Sequence, residues 1–116
     1  MQLKILLILL ILNVSVSTYG AIPDLVCQVV AEEQIDNKSL STTTYDSKGL
    51  YKFSKDKLYL SSPDRDEYEY GEINEVEYLR YNVGYKTIIF NSDKFKNAVV
   101  VHFDKYETRV LQISCL

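Results

Sequence analysis

Apolar and polar residues alternate over short segments through most of the chain beyond residue 24, and turn-forming residues separate these segments. An alternation of period two is typical of strands that bury one face, and closely spaced turns are typical of antiparallel sheets. Helical spacing of apolar residues is hard to find in the same region. The pattern therefore predicts an all-β fold, a small antiparallel barrel or barrel-like meander of about eight strands.

The first predicted strand has one apolar face, which carries Leu25, Cys27, Val29 and Ala31. A polar stretch over residues 32–44 follows, and we expect a short helix or a long loop there. This stretch contains the sequence Asn37-Lys38-Ser39, which is a glycosylation acceptor in eukaryotic secreted proteins. We expect this short match to be idle.

The clearest hairpin covers residues 50–61, with a two-residue turn at Lys55 and Asp56. With the turn at this position, apolar residues pair on one face of the hairpin and polar residues pair on the other. This separation favours one strand register over its alternatives. The predicted pairs are Phe53 with Leu58 and Tyr51 with Leu60 on the apolar face, and Lys52 with Tyr59 and Ser54 with Lys57 on the polar face.

The second half of the chain continues the alternation. Residues 67–70 predict a strand with a tyrosine face and an acidic face, and further strands follow at 75–81, 86–90, 98–103 and 108–114. A turn is expected at 82–84 and a polar connection at 91–97. The turn region 104–107 leaves two registers open: a three-residue loop aligns Val99 and Val101 with Leu111 and Ile113, and a two-residue loop opposes Val100 to Leu111.

The N-terminus has the composition of a secretory signal peptide. Lys4 precedes an unbroken aliphatic run that ends before Asn13, and this run is shorter than the about 20 residues that span a bilayer. Small residues follow it, and we place cleavage after Gly20, with cleavage after Ser17 as the second choice. The predicted organisation is a signal peptide at 1–20 and a single all-β domain at 21–116, exported as a secreted or periplasmic protein without a stable membrane anchor.

Predicted export bears on the oxidation state of the two cysteines. Cys27 and Cys115 lie near opposite ends of the exported domain, each in a strand with an apolar face. Because exported proteins fold in an oxidising compartment, we predict a disulfide between them. Such a bond brings the first and last strands together, which favours a closed or nearly closed barrel.

Charge excludes one class of partner, and the histidine count restricts catalysis. The chain has a net charge of -3 and no cluster of Lys and Arg, which argues against binding of nucleic acid. His102 is the only histidine, and it shares a strand face with Ala98 and Val100. No nucleophile elbow accompanies it, and zinc sites need several His or Cys ligands. We therefore expect a structural or surface histidine, no catalytic residue, no metal site, no cofactor and no enzymatic activity.

The strongest candidate for function is an acidic, tyrosine-rich segment. Its carboxylates account for seven of the sixteen Asp and Glu residues in the chain. Their spacing fails the calcium-loop pattern, and a glycosidase pair would need a substrate cleft. Two interpretations are left: a contact face for a basic protein, or a solvated strand face that keeps the protein soluble. The predicted partner-binding residues are Asp64, Asp66, Glu67, Tyr68, Glu69, Tyr70, Glu72, Glu75 and Glu77.

The sequence thus predicts a small exported binding protein, a protein-binding module or inhibitor directed at a basic partner. The ten tyrosines suggest an alternative, because tyrosines that line a barrel could enclose a small ligand, as in a carrier of lipocalin-like role. A structural protein of the cell envelope is a further alternative. The pattern favours the protein binder over the carrier, because a chain of this length is short for a roomy barrel.

The N-terminal pattern gives a direct prediction: the precursor is cleaved between Ser17 and Ile22. N-terminal sequencing of protein recovered from outside the cytoplasm measures the cleavage position. An exported protein that retains Met1 would contradict the prediction.

Overall fold

The computed structural model describes residues 22–46 and 48–116, and the predicted signal peptide lies outside these residues. The described chain contains strands and turns and no helix. The ten strands are β1 (Leu25–Asp36), β2 (Thr42–Tyr45), β3 (Leu50–Ser54), β4 (Lys57–Ser62), β5 (Arg65–Glu72), β6 (Asn74–Glu77), β7 (Arg80–Val83), β8 (Lys86–Phe90), β9 (Asn97–Phe103) and β10 (Glu107–Cys115).

All ten strands belong to one antiparallel sheet, in the order β5-β4-β3-β1-β10-β9-β8-β7-β6, with β2 paired to β1 off this path. The sheet curls into a half-barrel, which confirms the predicted barrel-like all-β fold. Strands β5 and β6 follow one another in the chain through Ile73, yet they lie at opposite ends of the strand order. They are therefore the edge strands at the two ends of this order, and β2, which pairs with β1 alone among the described strands, lies off it.

The inner face of the half-barrel holds the core. Phe53, Leu58, Val83, Ile88 and Ile113 are almost completely buried, and they come from five different strands. Aromatic rings join them, with Phe90 in edge contact with Phe53 at 5.9 Å and with Tyr81 at 6.0 Å between ring centroids. The inner face is thus filled by side chains, and its residues alternate with exposed residues along each strand.

A bulge in β1 changes which residues face the core. The pairing of β1 with β10 shifts register between Val29 and Ala31, so Val30 is an extra residue. Ala31 is consequently exposed, and the prediction that it belongs to the apolar face was wrong. The helix or long loop expected at residues 32–44 was also wrong, because β1 continues to Asp36 and β2 returns beside it.

The β3–β4 hairpin confirms the sequence prediction in every pair, from Ser54 opposite Lys57 to Tyr51 opposite Leu60. Its turn residues, Lys55 and Asp56, have φ values of 51° and 62°. Two consecutive residues with positive φ match the right-handed twist of the adjoining strands, although neither is the glycine that such turns prefer. The register is therefore set by side-chain sorting on the two faces rather than by turn chemistry.

Two predicted segments needed correction in the second half of the chain. The strand expected at 75–81 is split into β6 and β7 by a turn at Tyr78 and Leu79, where Leu79 has a φ of 63°. The turn expected at 82–84 lies further along, because β7 extends to Val83 and Gly84 adopts a φ of 56°. The split strand and β2 raise the strand count above the expected number.

The final hairpin resolves the two registers that the sequence left open. Leu111 pairs with Val100, so the two-residue-loop alternative is the correct one. Asp104 and Glu107 close this loop, since the Asp104 amide donates to the Glu107 carbonyl at 3.1 Å.

The predicted disulfide between Cys27 and Cys115 is confirmed. The two residues are direct partners in the β1–β10 ladder, and both are buried. A disulfide indicates an oxidising, extracytoplasmic environment. It joins positions 88 residues apart, so it restricts a large part of the unfolded chain.

We expect the double variant Cys27→Ser, Cys115→Ser to lose about 2–5 kcal/mol of unfolding free energy, the usual cost of removing such a bond. Urea denaturation followed by tyrosine fluorescence measures it. The reduced wild-type protein is the matched control and should unfold at the same urea concentration as the variant. An unchanged midpoint in the variant would contradict the prediction.

Candidate functional site

The predicted acidic segment occupies the two edge strands and the turn that precedes β5. We call its carboxylates the acidic edge: Asp64, Asp66, Glu67, Glu69, Glu72, Glu75 and Glu77. All seven residues are exposed. Because β5 and β6 adjoin through a single residue, the chain places this charge along one continuous path at the margin of the sheet.

Cations from neighbouring strands neutralise part of the acidic edge. Nitrogen-to-oxygen distances are 3.7 Å for Lys52–Glu67, 2.8 Å for Lys57–Glu69 and 3.6 Å for Arg80–Glu77. All three pairs are well exposed, and such pairs contribute about 0–1 kcal/mol to stability. Among the described residues, no ion pair reaches the remaining carboxylates, which are Asp64, Asp66, Glu72 and Glu75.

The two tyrosines predicted beside these acids face the other way. Tyr68 is half-buried opposite Leu60, and the Arg65 guanidinium stacks over its ring at 3.9 Å. Tyr70 packs against the core, and its ring approaches Gly84 so closely that a Cβ added there would lie 3.1 Å from it. Burial raises the pKa of the Tyr70 phenol. The structure therefore separates the predicted site into outward-facing acids and inward-facing tyrosines.

A groove of about 430 Å³ lies next to the beginning of the acidic edge. Its acidic lining residues are Glu32, Asp46 and Asp64, and Lys48 is its one cationic lining residue. Tyr45 and Pro63 add apolar surface. The groove thus continues the negative surface beyond the edge strands.

A second group of ionisable side chains lies on the inner face, where sequence reasoning did not place a site. Consecutive ladder partners run across four strands: Lys86 on β8 opposes His102 on β9, His102 opposes Arg109 on β10, and Arg109 opposes Gln34 on β1. Direct partners in an antiparallel ladder point to the same face. We call these four residues the polar row. The next row toward the core contains Ile88, Val100 and Leu111, all buried.

Lys86 is the unusual member of the polar row. Only 7% of its surface is exposed, and its Nζ lies 5.4 Å from the ring centroid of Tyr51 and 5.3 Å from that of Tyr70. No ion pair to Lys86 occurs within the described residues. Burial, with a smaller contribution from the Arg109 charge, lowers the pKa of the Lys86 amine to about 8. Glu32 and Glu107 oppose this shift without cancelling it.

His102 is held by the turn of its own hairpin. Its Nε2 lies 2.9 Å from Asp104 Oδ2, while its Nδ1 is buried and has no hydrogen-bond partner in the described part of the chain. Asp104 Oδ1 accepts from the backbone amides of Tyr106 and Glu107 at 2.8 and 3.0 Å. These bonds, with the His102 bond as the largest influence, lower the pKa of Asp104 to about 2.

The donor atoms of His102, Asp104 and Glu107 lie within 4.8 Å of one another, which is close enough to test for a metal. The Glu107 oxygens are already engaged, one by the Gln34 amide and the other by Arg109 Nε at 2.7 Å. Both Asp104 oxygens are engaged as well. With every carboxylate oxygen committed and two cationic residues in the adjoining row, the arrangement fits a braced hairpin and not a metal centre.

The predicted sequon takes part in this bracing. The Asn37 side-chain amide donates to the Asp104 carbonyl at 2.9 Å, and its oxygen accepts from the Thr108 hydroxyl at 2.8 Å. Asn37 therefore ties the end of β1 to the β9–β10 hairpin. In the folded protein, the nitrogen that would carry a glycan is already used in a hydrogen bond.

Two members of the polar row could have been recognised as inward-facing from the sequence. His102 was assigned to the face of Ala98 and Val100, and Lys86 occupies the same alternation as Ile88 and Phe90. A charged residue in phase with apolar residues indicates an inward-facing charge. Gln34 gave no such signal, because the β1 bulge that turns it inward is not visible in the pattern.

Comparison with protein-family models, curated proteins and solved structures gives no match. Over residues 22–46 and 48–116, no helix has the length and apolarity to cross a membrane.

The buried amine gives a prediction about stability. The Lys86 pKa is about 8 in the folded protein and 10.5 for a solvated lysine, so the unfolded chain binds more protons between these two pH values. Stability should therefore rise with pH from about 8 and level off near 10, where unfolded tyrosines begin to ionise. We expect Lys86→Met to raise the unfolding free energy at pH 7 by about 2 kcal/mol and to remove this rise.

Urea denaturation at pH 7, 8, 9 and 9.5 measures both effects. Lys94→Met, which removes an exposed lysine without an ion pair in the described chain, is the matched control and should keep the wild-type pH dependence. A Lys86→Met protein that is less stable than the wild type at pH 7 would show that the buried amine is net stabilising, contrary to our expectation.

Proposed function

We propose that the protein is a non-enzymatic binding protein, secreted or periplasmic, that contacts a basic protein partner through the acidic edge. The observation that supports this most is that all seven carboxylates of that segment are exposed, six of them on the edge strands β5 and β6 and Asp64 in the turn before β5. Four of them form no ion pair within 4.0 Å among the described residues. An acidic surface of this kind attracts a basic partner and speeds its association.

The position at the sheet margin supports a protein partner in particular. An edge strand presents backbone N–H and C=O groups that another strand can bind. Like charges on two acidic edges oppose pairing between two copies of this chain. A basic segment meets attraction at the same edge, so the surface favours a partner of opposite charge over self-association.

The structure changes the part that we assign to the tyrosines. Tyr68 and Tyr70 were expected to supply contact area, but they support β5 from the inner side. The partner therefore contacts the acids and the exposed β5 margin, and the groove lined by Glu32, Asp46 and Asp64 offers a place for a basic side chain.

The packed inner face supports the protein binder over the small-ligand carrier. Side chains of Phe53, Leu58, Ile88, Val100 and Ile113 fill the centre of the half-barrel. A carrier of lipocalin-like role needs an interior that holds its ligand.

The proposal predicts a charge-dependent association rate. Oxidised protein, immobilised without residues 1–20, is used to capture partners from extracellular or periplasmic fluid, and a purified candidate is then measured by surface plasmon resonance. We expect the variant Glu72→Gln, Glu75→Gln to associate several-fold more slowly at low salt and to show a weaker salt dependence. Its stability should change by no more than about 1 kcal/mol, because both carboxylates are exposed and neither forms an ion pair within 4.0 Å, although Glu72 lies opposite Lys57.

Glu33→Gln, Asp93→Asn is the matched control, since it removes the same charge from exposed positions outside the acidic edge. It should associate at nearly the wild-type rate. Equal rates for both double variants would reduce the effect to net charge and contradict the assignment to the edge. A Glu72→Gln, Glu75→Gln protein that self-associates without losing partner binding would show that these charges only prevent edge pairing.

A further inference from the structure

We propose that two copies of this chain associate reversibly, around a two-fold axis, through an uncharged apolar surface on the outer side of β8, β9, β10 and β1. We call this surface the neutral face. Its members are the outward-facing residues Thr87, Ile89, Val99, Val101, Val110, Gln112, Val30 and Ala31. The neutral face is separate from the acidic edge, so this inference does not depend on the function proposed above.

Ladder pairing places the members of the neutral face side by side. Ile89 pairs with Val99, and Val99 pairs with Gln112. Gln112 pairs in turn with Ala31, next to the bulged Val30. Direct partners in an antiparallel ladder point to the same side of the sheet, so these side chains form one row across four strands. The adjacent row consists of Thr87, Val101 and Val110.

The neutral face is apolar and uncharged, although 25% of the residues in the chain are charged. Its aliphatic side chains are well exposed, with 58% of the surface accessible for Val30, 45% for Ile89 and 40% for Val99. The outer side of the β3–β4–β5 meander differs, because it carries charged residues such as Lys57 and Glu69. A contiguous exposed apolar patch rimmed by polar residues is typical of a protein interaction site.

The shape of the neutral face is self-complementary. Val30, the extra residue of the β1 bulge, protrudes from it, and a groove of about 450 Å³ on the same face is lined by Val30, Ile89, Val99 and Gln112. A two-fold axis sets the same patch of each copy against itself. When this axis runs parallel to the strands, above the boundary between β9 and β10, Val30 of each copy lies over the Ile89 side of the other copy's groove.

Charges at the rim of the neutral face fit the same axis and indicate a second copy as the occupant. Glu33 adjoins the face on its β1 side, opposite Val110, and Arg80 adjoins it on its β7 side, opposite Ile89. Both are exposed; Arg80 has one exposed ion pair, with Glu77, and Glu33 has none within 4.0 Å in the described chain. The axis places the β1 side of one copy over the β7 side of the other, so Glu33 of each copy approaches Arg80 of the other. Opposite charges thus meet at both ends of the interface.

The size of the neutral face sets the strength of the dimer. Four strands about 4.8 Å apart and two rows of side chains about 7 Å apart give roughly 300 Å² of flat surface. Stable complexes bury about 800 Å² on each partner. We therefore expect a weak dimer with a dissociation constant of about 100 µM or above. At the lower concentrations used to measure association with a basic partner the chain is then monomeric, so the two experiments are independent.

Sedimentation velocity of the exported, oxidised protein from about 10 µM to about 1 mM tests the proposal. The weight-average mass should rise toward that of a dimer and no further. Val99→Lys, at the centre of the neutral face, should raise the dissociation constant at least tenfold because it buries an unpaired charge. Val76→Lys is the matched control: it adds the same charge at a 48% exposed valine on β6, and it should dimerise like the wild type. A wild-type protein that is monomeric at 1 mM, a mass that passes the dimer, or equal weakening by both variants overturns the proposal.

A charge swap at the rim tests the two-fold arrangement. Glu33→Arg and Arg80→Glu should each weaken the dimer several-fold at low salt, because each change brings like charges together. The double variant should recover the wild-type dissociation constant, since the opposite charges then meet with their signs exchanged. Both residues are exposed, and the urea midpoint of each variant checks that it is folded. A folded double variant that is as weak as the single variants overturns this arrangement.

Discussion

The β1–β10 pairing holds the two halves of this sheet together. On one side of it, β3, β4 and β5 form a meander of consecutive strands, and on the other side β9, β8, β7 and β6 form a second one. Each meander closes through short turns, whereas β1 and β10 meet across most of the chain. Closing so long a loop costs conformational entropy, and the Cys27–Cys115 bond reduces that cost in the unfolded state.

The same pair of strands also sets the chemistry of the inner face. At the disulfide end, Val29 opposes Ile113, and both are buried. Beyond the bulge at Val30, the residues that face inward change from odd to even positions, so Glu32 and Gln34 take the places that Ala31 and Glu33 would otherwise hold. One extra residue therefore ends the apolar core along β1 and begins the polar row. A bulge that redirects side chains in this way is common near functional sites.

Features that depend on the local alternation of apolar and polar residues could be predicted from the sequence, and features that depend on strand order could not. The β3–β4 hairpin was predictable because both of its faces alternate without interruption and a shift of one residue would bury Lys52. The disulfide was predictable because the N-terminal pattern indicates export to an oxidising compartment and the chain has two cysteines. The break at Leu79 was not, because a leucine with positive φ gives no turn signal, and the surrounding residues read as one strand. The acids could be assigned to an exposed face, but their place on both edges follows from the strand order, which no local pattern contains.

The exposed charges of the acidic edge and the buried charge of Lys86 differ in their effect on the free energy of unfolding. The ion pairs of the acidic edge, such as Lys57–Glu69, are exposed and contribute little to stability, so those carboxylates can be neutralised or replaced at small cost to the fold. Lys86 is buried without an ion pair in the described chain, and burial makes its charged form unfavourable. A methionine would fill a similar volume without that cost. The rings of Tyr51 and Tyr70 near Lys86 Nζ replace part of the solvation that the buried amine loses, so the inner face tolerates a charge that the acidic edge carries at almost no cost.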